Sequence, residues 1–439
     1  MPVIAGAILL LLILATPIGV AFALPTILGA ESLGMPANTF AASVPNETAQ
    51  SFALVAIPYF LLAGQAMQRG GLMERLITLA HSVLGWLRGA LGYVTIAASA
   101  MLGAITGSSV ATVATMGATV GRSMVSTGYA RPYVASLTAA CGLLGALIPP
   151  SIPLVVYSSA SGVAVSDLFI ATIVPGLLMT GVFMVVHRLL IPRLKASGDG
   201  LGGAQPAAPG GTGAAAHVDV KQARTAFGPA LVKAMPALLM PVILLGGIYS
   251  GVMTPTESAA VAGLYGLTAA LVLRTLRWRA LPHIFYAAAL PTIAILSIIV
   301  FTSVFSRAIT LERIPQGITD WALGITDNPL VFLLMINLVL LLVGMFMETN
   351  AAVLLMAPLL VPAAMAYDVD PVHFGIILVT NIELGLITPP LAANLFVASK
   401  TIGAPIMSML RWIAPFFVAA ACVQLAITYL PVLTTWHQS

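Results

Sequence analysis

The stretch GALIPPSIPLV, residues 145–155, puts two adjacent prolines and a third close behind into an apolar run with no charge from Pro132 to Ser166. LGLITPPLAANL, residues 384–395, repeats the interruption deep in later apolar sequence. Gly145, Pro149 and Pro150 recur as Gly385, Pro389 and Pro390, a constant offset of 240. Proline has no N–H and its ring crowds the carbonyl four residues back, so a helix breaks at each place. In hydrocarbon such a break survives only where it is buried in protein or lines a cavity. Two matched breaks therefore demand a fold with a protected interior.

The surrounding sequence says what kind of fold. Of 439 residues, 59% are hydrophobic and 7% charged, against roughly a quarter charged in soluble domains. Uncharged runs recur from end to end, and about 20 apolar residues suffice to span a bilayer. The ~10-residue alternating segments of a β-barrel are absent. The chain reads as an all-α polytopic membrane protein of roughly 10–12 membrane segments. The opening MPVIAGAILLLLILATPIGVAFAL has no basic start and no small-residue cleavage site, and reads as a first membrane helix rather than a signal peptide. The weakly apolar region 25–50 has room for a further short helix. The net charge of +4 is spread over loops and forms no nucleic-acid patch. Cys141 and Cys422 lie in apolar segments and offer neither a disulfide framework nor a metal cluster.

One long polar segment, KASGDGLGGAQPAAPGGTGAAAHVDVKQAR at 195–224, reads as a flexible linker between two halves. Arg188, Arg193, Lys195, Lys221, Arg224 and Lys233 outnumber Asp199 and Asp219 around it, which places it in the cytoplasm. Arg274, Arg277 and Arg279 follow two helices later, again cytoplasmic. The halves are related: LMER (72–75) and TLER (310–313) each precede an amphipathic stretch. Then come GAITGSSVATVATMG (103–117) and GMFMETNAAVLLMAP (344–358), followed by the Pro-Pro breaks. Duplicated, interrupted segments mark a secondary transporter. Arg88, Arg122 and Arg131 bound the first long segment, whereas Asp327, Asp368 and Asp370 bound its counterpart. The two would then open to opposite faces, as inverted repeats require.

From Gly92 to Thr106 is 15 residues, about 22 Å of helix, too short to cross a ~30 Å core. TGSS at 106–109 then falls near mid-membrane, at the tip of a re-entrant hairpin. The competing reading is one continuous helix with Gly103/Gly107 and Gly117/Gly121 as packing faces. The Pro-Pro breaks favour the hairpin. At those breaks the carbonyls of 145–148 and 385–388 lose helical partners, and such oxygens suit hard cations such as Na⁺. Thr388 adds a hydroxyl; a purely structural kink is the alternative. Glu348, beside Thr349 and Asn350, and Glu383 are ionisable groups at depth, either functional or hydrogen-bonded structural carboxyls. Glu257 in MTPTESAAVAG reads as the acidic first turn of a helix. An enzyme would need a nucleophile–base pair or metal set at depth. His81, His187, His217, His283, His373 and His437 are dispersed and show no ligand spacing.

AIPYFLLAGQAMQRGG, GAITGSSVATVATMG, IPPSIPLVVY, TPTESAAVAG, DPVHFG and TPPLAANLFVASKTIG resemble, in order and over nearly the whole chain, the large membrane (M) subunit of TRAP transporters. The resemblance implies an ion-transporter-superfamily elevator with two re-entrant hairpins and broken helices. It implies no cofactor beyond Na⁺ as coupling ion, and an inner-membrane location in bacteria. The implied partners are a small four-helix Q subunit, a periplasmic substrate-binding protein and the bilayer. The implied cargo is a small organic acid such as a C4-dicarboxylate or sialic acid. Carried over residue by residue, a first Na⁺ site maps to Thr106, Ser109, Gly145, Ile148 and Pro150, and a second to Gly344, Gly385, Thr388 and Leu391. Ser108, Ser151, Glu348, Thr349, Asn350 and Asn394 fall near the substrate. Many members have Ser at Thr106, which keeps the hydroxyl, and Pro at Arg122, whose cation has no assigned role. The extra N-terminal helices of Q–M fusions are lacking, so Q is expected as a separate chain. The implied organisation is scaffold and first arm helix (1–90), first transport repeat (91–167), a membrane helix (168–194), linker (195–228), scaffold and second arm helix (229–328), second transport repeat (329–408) and C-terminal helix (409–439). A binding-protein-independent Na⁺/dicarboxylate symporter of the same superfamily is the alternative.

Overall fold

A computed structural model describes residues 2–14, 16–34, 36–196 and 226–436, all helix and connecting turns with no strand among them. Most of the linker (197–225) lies outside the described residues. Six helices are long and apolar enough to cross a membrane, and two bent pairs bring the count to eight. The outer faces are apolar too: Val242, Leu264, Leu290, Ile293 and Leu338 are all exposed. That arrangement suits lipid as solvent.

The opening segment differs from the expected single membrane helix. It forms two short helices, Pro2–Ile13 and Ile18–Leu28. Pro17 stands between them, and proline also drives the residue before it out of helical geometry. The pair folds back on itself, because a Cβ on Gly29 would lie 2.6 Å from the Ile4 side chain. Further short helical pieces follow, ending with Val44–Ala49, in the region where the sequence left room for one.

A scaffold is built from Phe52–Arg69, Phe227–Tyr249, Pro255–Val272 and the long Leu281–Leu311, with Phe52–Arg69 packed along Pro255–Val272. Thr254 and Glu257 form a reciprocal capping box, Thr254 N–H donating to Oε2 at 2.8 Å. Two amphipathic helices begin at or just after LMER and TLER: Met73–Leu84, which buries Met73, Leu76, Ile77, Leu79 and Ala80, and Ile314–Ile325.

The repeats have matching parts. In the first, Ala90–Thr106 and Ser109–Met116 are followed by the broken pair Arg131–Leu147 and Ile152–Ser161, bent by 44°. In the second, Pro329–Phe346 and Thr349–Ala366 precede Pro371–Gly385 and Ala393–Ile402. Each leading pair doubles back. Thr95 Oγ1 lies 3.3 Å from Met124 Sδ, and Phe332 stacks on Tyr367 with ring centroids 4.2 Å apart. Long outer helices, Ile173–Ala196 and Ile406–Tyr429, brace each broken helix. Tyr133 bonds to His187 on the first, and His373, 240 residues after Tyr133, bonds to Thr434 beyond the second. The repeats interlock through Tyr157, whose hydroxyl donates to the Pro371 carbonyl at 2.7 Å, and Ser136, which donates to the Met409 carbonyl at 2.9 Å.

Candidate functional site

At the first tip the helix ends at Thr106 and restarts at Ser109. Gly107 makes the turn with φ +58°, and a Cβ there would sit 2.6 Å from the Pro150 carbonyl oxygen, so only glycine fits. Its own carbonyl accepts from Ile152 N–H at 3.0 Å, docking the tip onto the break. Ser108 caps the returning helix, and its carbonyl accepts from Thr112 Oγ1 at 2.9 Å. Thr112 Oγ1 is also 3.2 Å from Thr106 Oγ1. A Cβ on Gly145 would lie 2.8 Å from the Ser108 carbonyl, so backbone meets backbone there. Thr106, Ser108, Gly145, Pro150 and buried Ser151 thus gather in one place, with half-buried Ile148 at the helix end. Pro149 and Pro150 have no N–H for the Gly145 and Ala146 carbonyls. The Leu147 carbonyl, expected to be free, instead accepts from Thr172 Oγ1 at 2.8 Å.

The second tip repeats the plan with other chemistry. Glu348, 240 residues after Ser108, caps the returning helix by accepting from Ala351 N–H at 3.1 Å and Asn350 Nδ2 at 2.7 Å, and it is exposed. A Cβ on Gly344 would lie 2.5 Å from the Ile382 carbonyl oxygen, and one on Gly385 2.6 Å from Gly344 Cα. The first repeat has a similar close crossing one position away from the 240-residue register, at Gly103, whose Cβ would lie 2.5 Å from the Leu144 carbonyl oxygen. The break itself departs from expectation. The Gly385 carbonyl accepts from Thr388 N–H at 2.9 Å and the Leu386 carbonyl from Asn394 N–H at 3.1 Å. Turn geometry supplies donors that the sequence does not reveal, though each carbonyl keeps a second lone pair. Thr388 Oγ1 donates to the Leu384 carbonyl at 2.9 Å, leaving its own lone pairs available. Pro389, Pro390 and Leu391 are exposed, whereas Pro149, Pro150 and Ser151 are buried. Both Pro–Pro bonds are cis.

The two repeats meet around Glu383 and Asn394. Thr349 Oγ1 donates to Glu383 Oε1 at 3.0 Å, and Asn394 Nδ2 donates to Ser109 Oγ at 2.7 Å. Glu383, Thr349 and Asn394 are buried, and Asn350 is 7% exposed. The structure therefore places Ser109 with residues of the second repeat as well as with its own tip.

Two cavities flank this assembly. One, about 380 Å³, lies between Glu47, Thr48, Ser303 and Arg307 of the scaffold side and Leu354 and Pro358 of the second hairpin. The other, about 830 Å³, lies between Gln68, Arg69, Arg277 and His283 and Ala114 and Ala118 of the first hairpin. Leu354 and Pro358 follow Ala114 and Ala118 by 240. The first cavity touches the start of Phe52–Arg69 and the last turns of Leu281–Leu311; the second touches their other ends. The cavities thus stand at opposite ends of the same scaffold helices. Sequence reasoning missed Gln68, whose Nε2 donates to Thr115 Oγ1 at 2.9 Å across the larger one.

Residues 5–433 match the family model for the DctM component of the tripartite ATP-independent periplasmic transporter. The chain belongs to that family. It is 39% identical over 389 residues to the C4-dicarboxylate TRAP transporter large permease protein DctM of Pseudomonas aeruginosa, covering 88% of this chain and 86% of that one. It is 34% identical over 386 residues to the sialic acid TRAP transporter large permease protein SiaM of Vibrio cholerae, covering 88% and 86%. The fold is also similar to the Alcanivorax borkumensis YdaH transporter, with a TM-score of 0.60 and 16% identity over 90% of this chain and 89% of that one. This TRAP large permease is accordingly a multi-pass membrane transport protein and not an enzyme.

Proposed function

We propose that this TRAP large permease carries a small organic acid across the bacterial inner membrane by Na⁺-coupled elevator transport, receiving it from a periplasmic binding protein and working with a small membrane subunit. The observation that carries the reading is the pair of cavities at opposite ends of one scaffold, each against matching positions of the two hairpins. A body holding both hairpins that slides along such a scaffold would enlarge one cavity as it closes the other. By the positive-inside rule the larger cavity, with Arg277 on its wall, faces the cytoplasm. Arg69 and Arg277 give that exit a charge suited to a departing carboxylate, the group shared by the C4-dicarboxylates and sialic acid named for the relatives.

Two Na⁺ ions would be held where hairpin and break meet, one by Thr106, Ser109, Gly145, Ile148 and Pro150, the other by Gly344, Gly385, Thr388 and Leu391. Support comes from chemistry: prolines free carbonyls, glycines let two backbones touch, and hydroxyls add oxygen ligands suited to a hard cation. Ser108, Ser151, Glu348, Thr349, Asn350 and Asn394 would border the carboxylate. The test is reconstitution with the small subunit into liposomes. Uptake of a C4-dicarboxylate or sialic acid should require both an inward Na⁺ gradient and the binding protein. Robust Na⁺-driven uptake without the binding protein would overturn the tripartite reading.

A further inference from the structure

Glu383 is 1% exposed and Asn394 fully buried, yet the first repeat has Leu143 and Leu154 at the equivalent positions, 240 residues earlier. The second repeat thus puts polar groups where its twin keeps a hydrocarbon interior. Hydroxyls at equivalent tip positions reach this pair from both hairpins. Thr349 Oγ1 donates to Glu383 Oε1 at 3.0 Å, and Ser109, which accepts from Asn394 Nδ2 at 2.7 Å, lies beside the same carboxyl. Asn394 Nδ2 is also 3.5 Å from the Ala139 carbonyl of the first broken helix. Glu383 Oε2 and Asn394 Oδ1 are buried with no hydrogen-bond partner. No basic side chain among the described residues pairs with the carboxyl, and the other ionisable group acting on it is Glu348, of the same sign. A buried carboxylate without a counter-charge is strongly disfavoured. Asn350 Oδ1 and Ser151 Oγ, on the second tip and the first break, are buried and unpartnered too. The junction has a surplus of oxygen acceptors and a shortage of donors, which one bound proton would only partly relieve.

We propose a third cation site, for a Na⁺-sized monovalent ion, formed by the side-chain oxygens of Glu383, Asn394, Ser109 and Thr349 where the two repeats meet. It rests on the Na⁺-coupled reading above and shares Ser109 with the first of those two sites, but its other ligands are side chains of the second repeat. Glu383 supplies the negative charge that lets the ion enter an apolar interior, and ion and carboxylate cross the membrane as a neutral pair. Because Ser109 and Thr349 belong to different hairpins, occupancy ties the two tips together.

The test measures thermal unfolding of the purified large–small subunit complex against NaCl, with choline chloride holding ionic strength constant. Na⁺ should stabilise the wild type. Glu383→Gln, which keeps the shape and removes the charge, should raise the midpoint Na⁺ concentration at least about tenfold and make the titration less steep. Glu383→Asp, a second route should the Gln variant not fold, should raise the midpoint and keep the steepness. A wild type indifferent to Na⁺ would overturn both this site and the Na⁺-coupled reading. A Na⁺-sensitive wild type matched in midpoint and steepness by either variant would overturn the third site alone.

Discussion

Replacing Gly344 by alanine tests whether the second hairpin lies against the second broken helix as closely as the backbone geometry requires. The new Cβ would stand 2.5 Å from the Ile382 carbonyl oxygen, 2.9 Å from its Cα and 3.0 Å from its carbonyl carbon. Ordinary contact begins near 3.4 Å, so the carbonyl would have to retreat by about 0.9 Å (3.4 − 2.5). It has little freedom to do so, because Ile382 and Glu383 are buried and the obstructing atoms are backbone rather than a side chain able to change rotamer. Overpacking of this kind costs roughly 1–3 kcal/mol, while alanine regains at most ~1 kcal/mol of helix propensity over glycine. The net loss is about 0–2 kcal/mol. Gly181→Ala, on the first outer helix, is the control, since its Cβ would meet nothing within 4 Å. Alanine regains the same propensity at both sites, so the overpacking alone separates them; with an unfolding entropy of ~2.1 cal/mol/K per residue the two variants should unfold about 1–3 °C apart, Gly344→Ala lower. Intrinsic fluorescence during a thermal ramp in detergent resolves that gap. Uptake by Gly344→Ala should fall further than its stability, because Ile382 adjoins Glu383 and precedes Gly385 by three residues. Identical unfolding temperatures for the two variants would refute the close crossing.

Thr388→Val should raise the Na⁺ concentration for half-maximal uptake about fivefold, the loss of one oxygen ligand worth ~1 kcal/mol; an unchanged Na⁺ dependence removes Thr388 from the site. In a background lacking Cys141 and Cys422, cysteines at Arg122 and Arg131 should be labelled from the cytoplasm and those at Asp327 and Asp368 from the periplasm. Labelling of both pairs from one side would disprove the inverted arrangement. A short crosslink between cysteines at Gln68 and Thr115, whose side chains are in hydrogen-bond contact across the larger cavity, should abolish uptake while Na⁺-dependent stabilisation survives. Normal uptake with the crosslink complete would rule out sliding of the first hairpin along the scaffold.

Much of this protein was legible in one dimension, because the effects concerned act within a few residues. A proline breaks the helix it sits in, so Pro149–Pro150 and Pro389–Pro390 announced both interruptions and, through their constant offset, the duplication. Thr254-Pro-Thr-Glu257 marks a helix start with an acidic first turn, and the structure closes it into a capping box across three positions. The length from Gly92 to Thr106 placed the first tip, and Gly107 makes the turn there. The opening segment is only half legible in this way: Pro17 marks the break, but the packing of Ile4 against Gly29 is what makes the two pieces a folded-back pair. What fills a freed carbonyl was beyond local rules. Thr172 reaches the Leu147 carbonyl from another helix, and Asn394 N–H reaches Leu386 because the chain curls back after its break. The meeting of Ser109 with Asn394, 285 positions apart, arises because two hairpins and two broken helices close around one point. Hydropathy and helix periodicity mark which residues are apolar and where helices stop. They carry no information about which buried hydroxyl faces which buried carboxyl, since that is decided by the packing of glycine-lined helix crossings, and only the tertiary structure contains it.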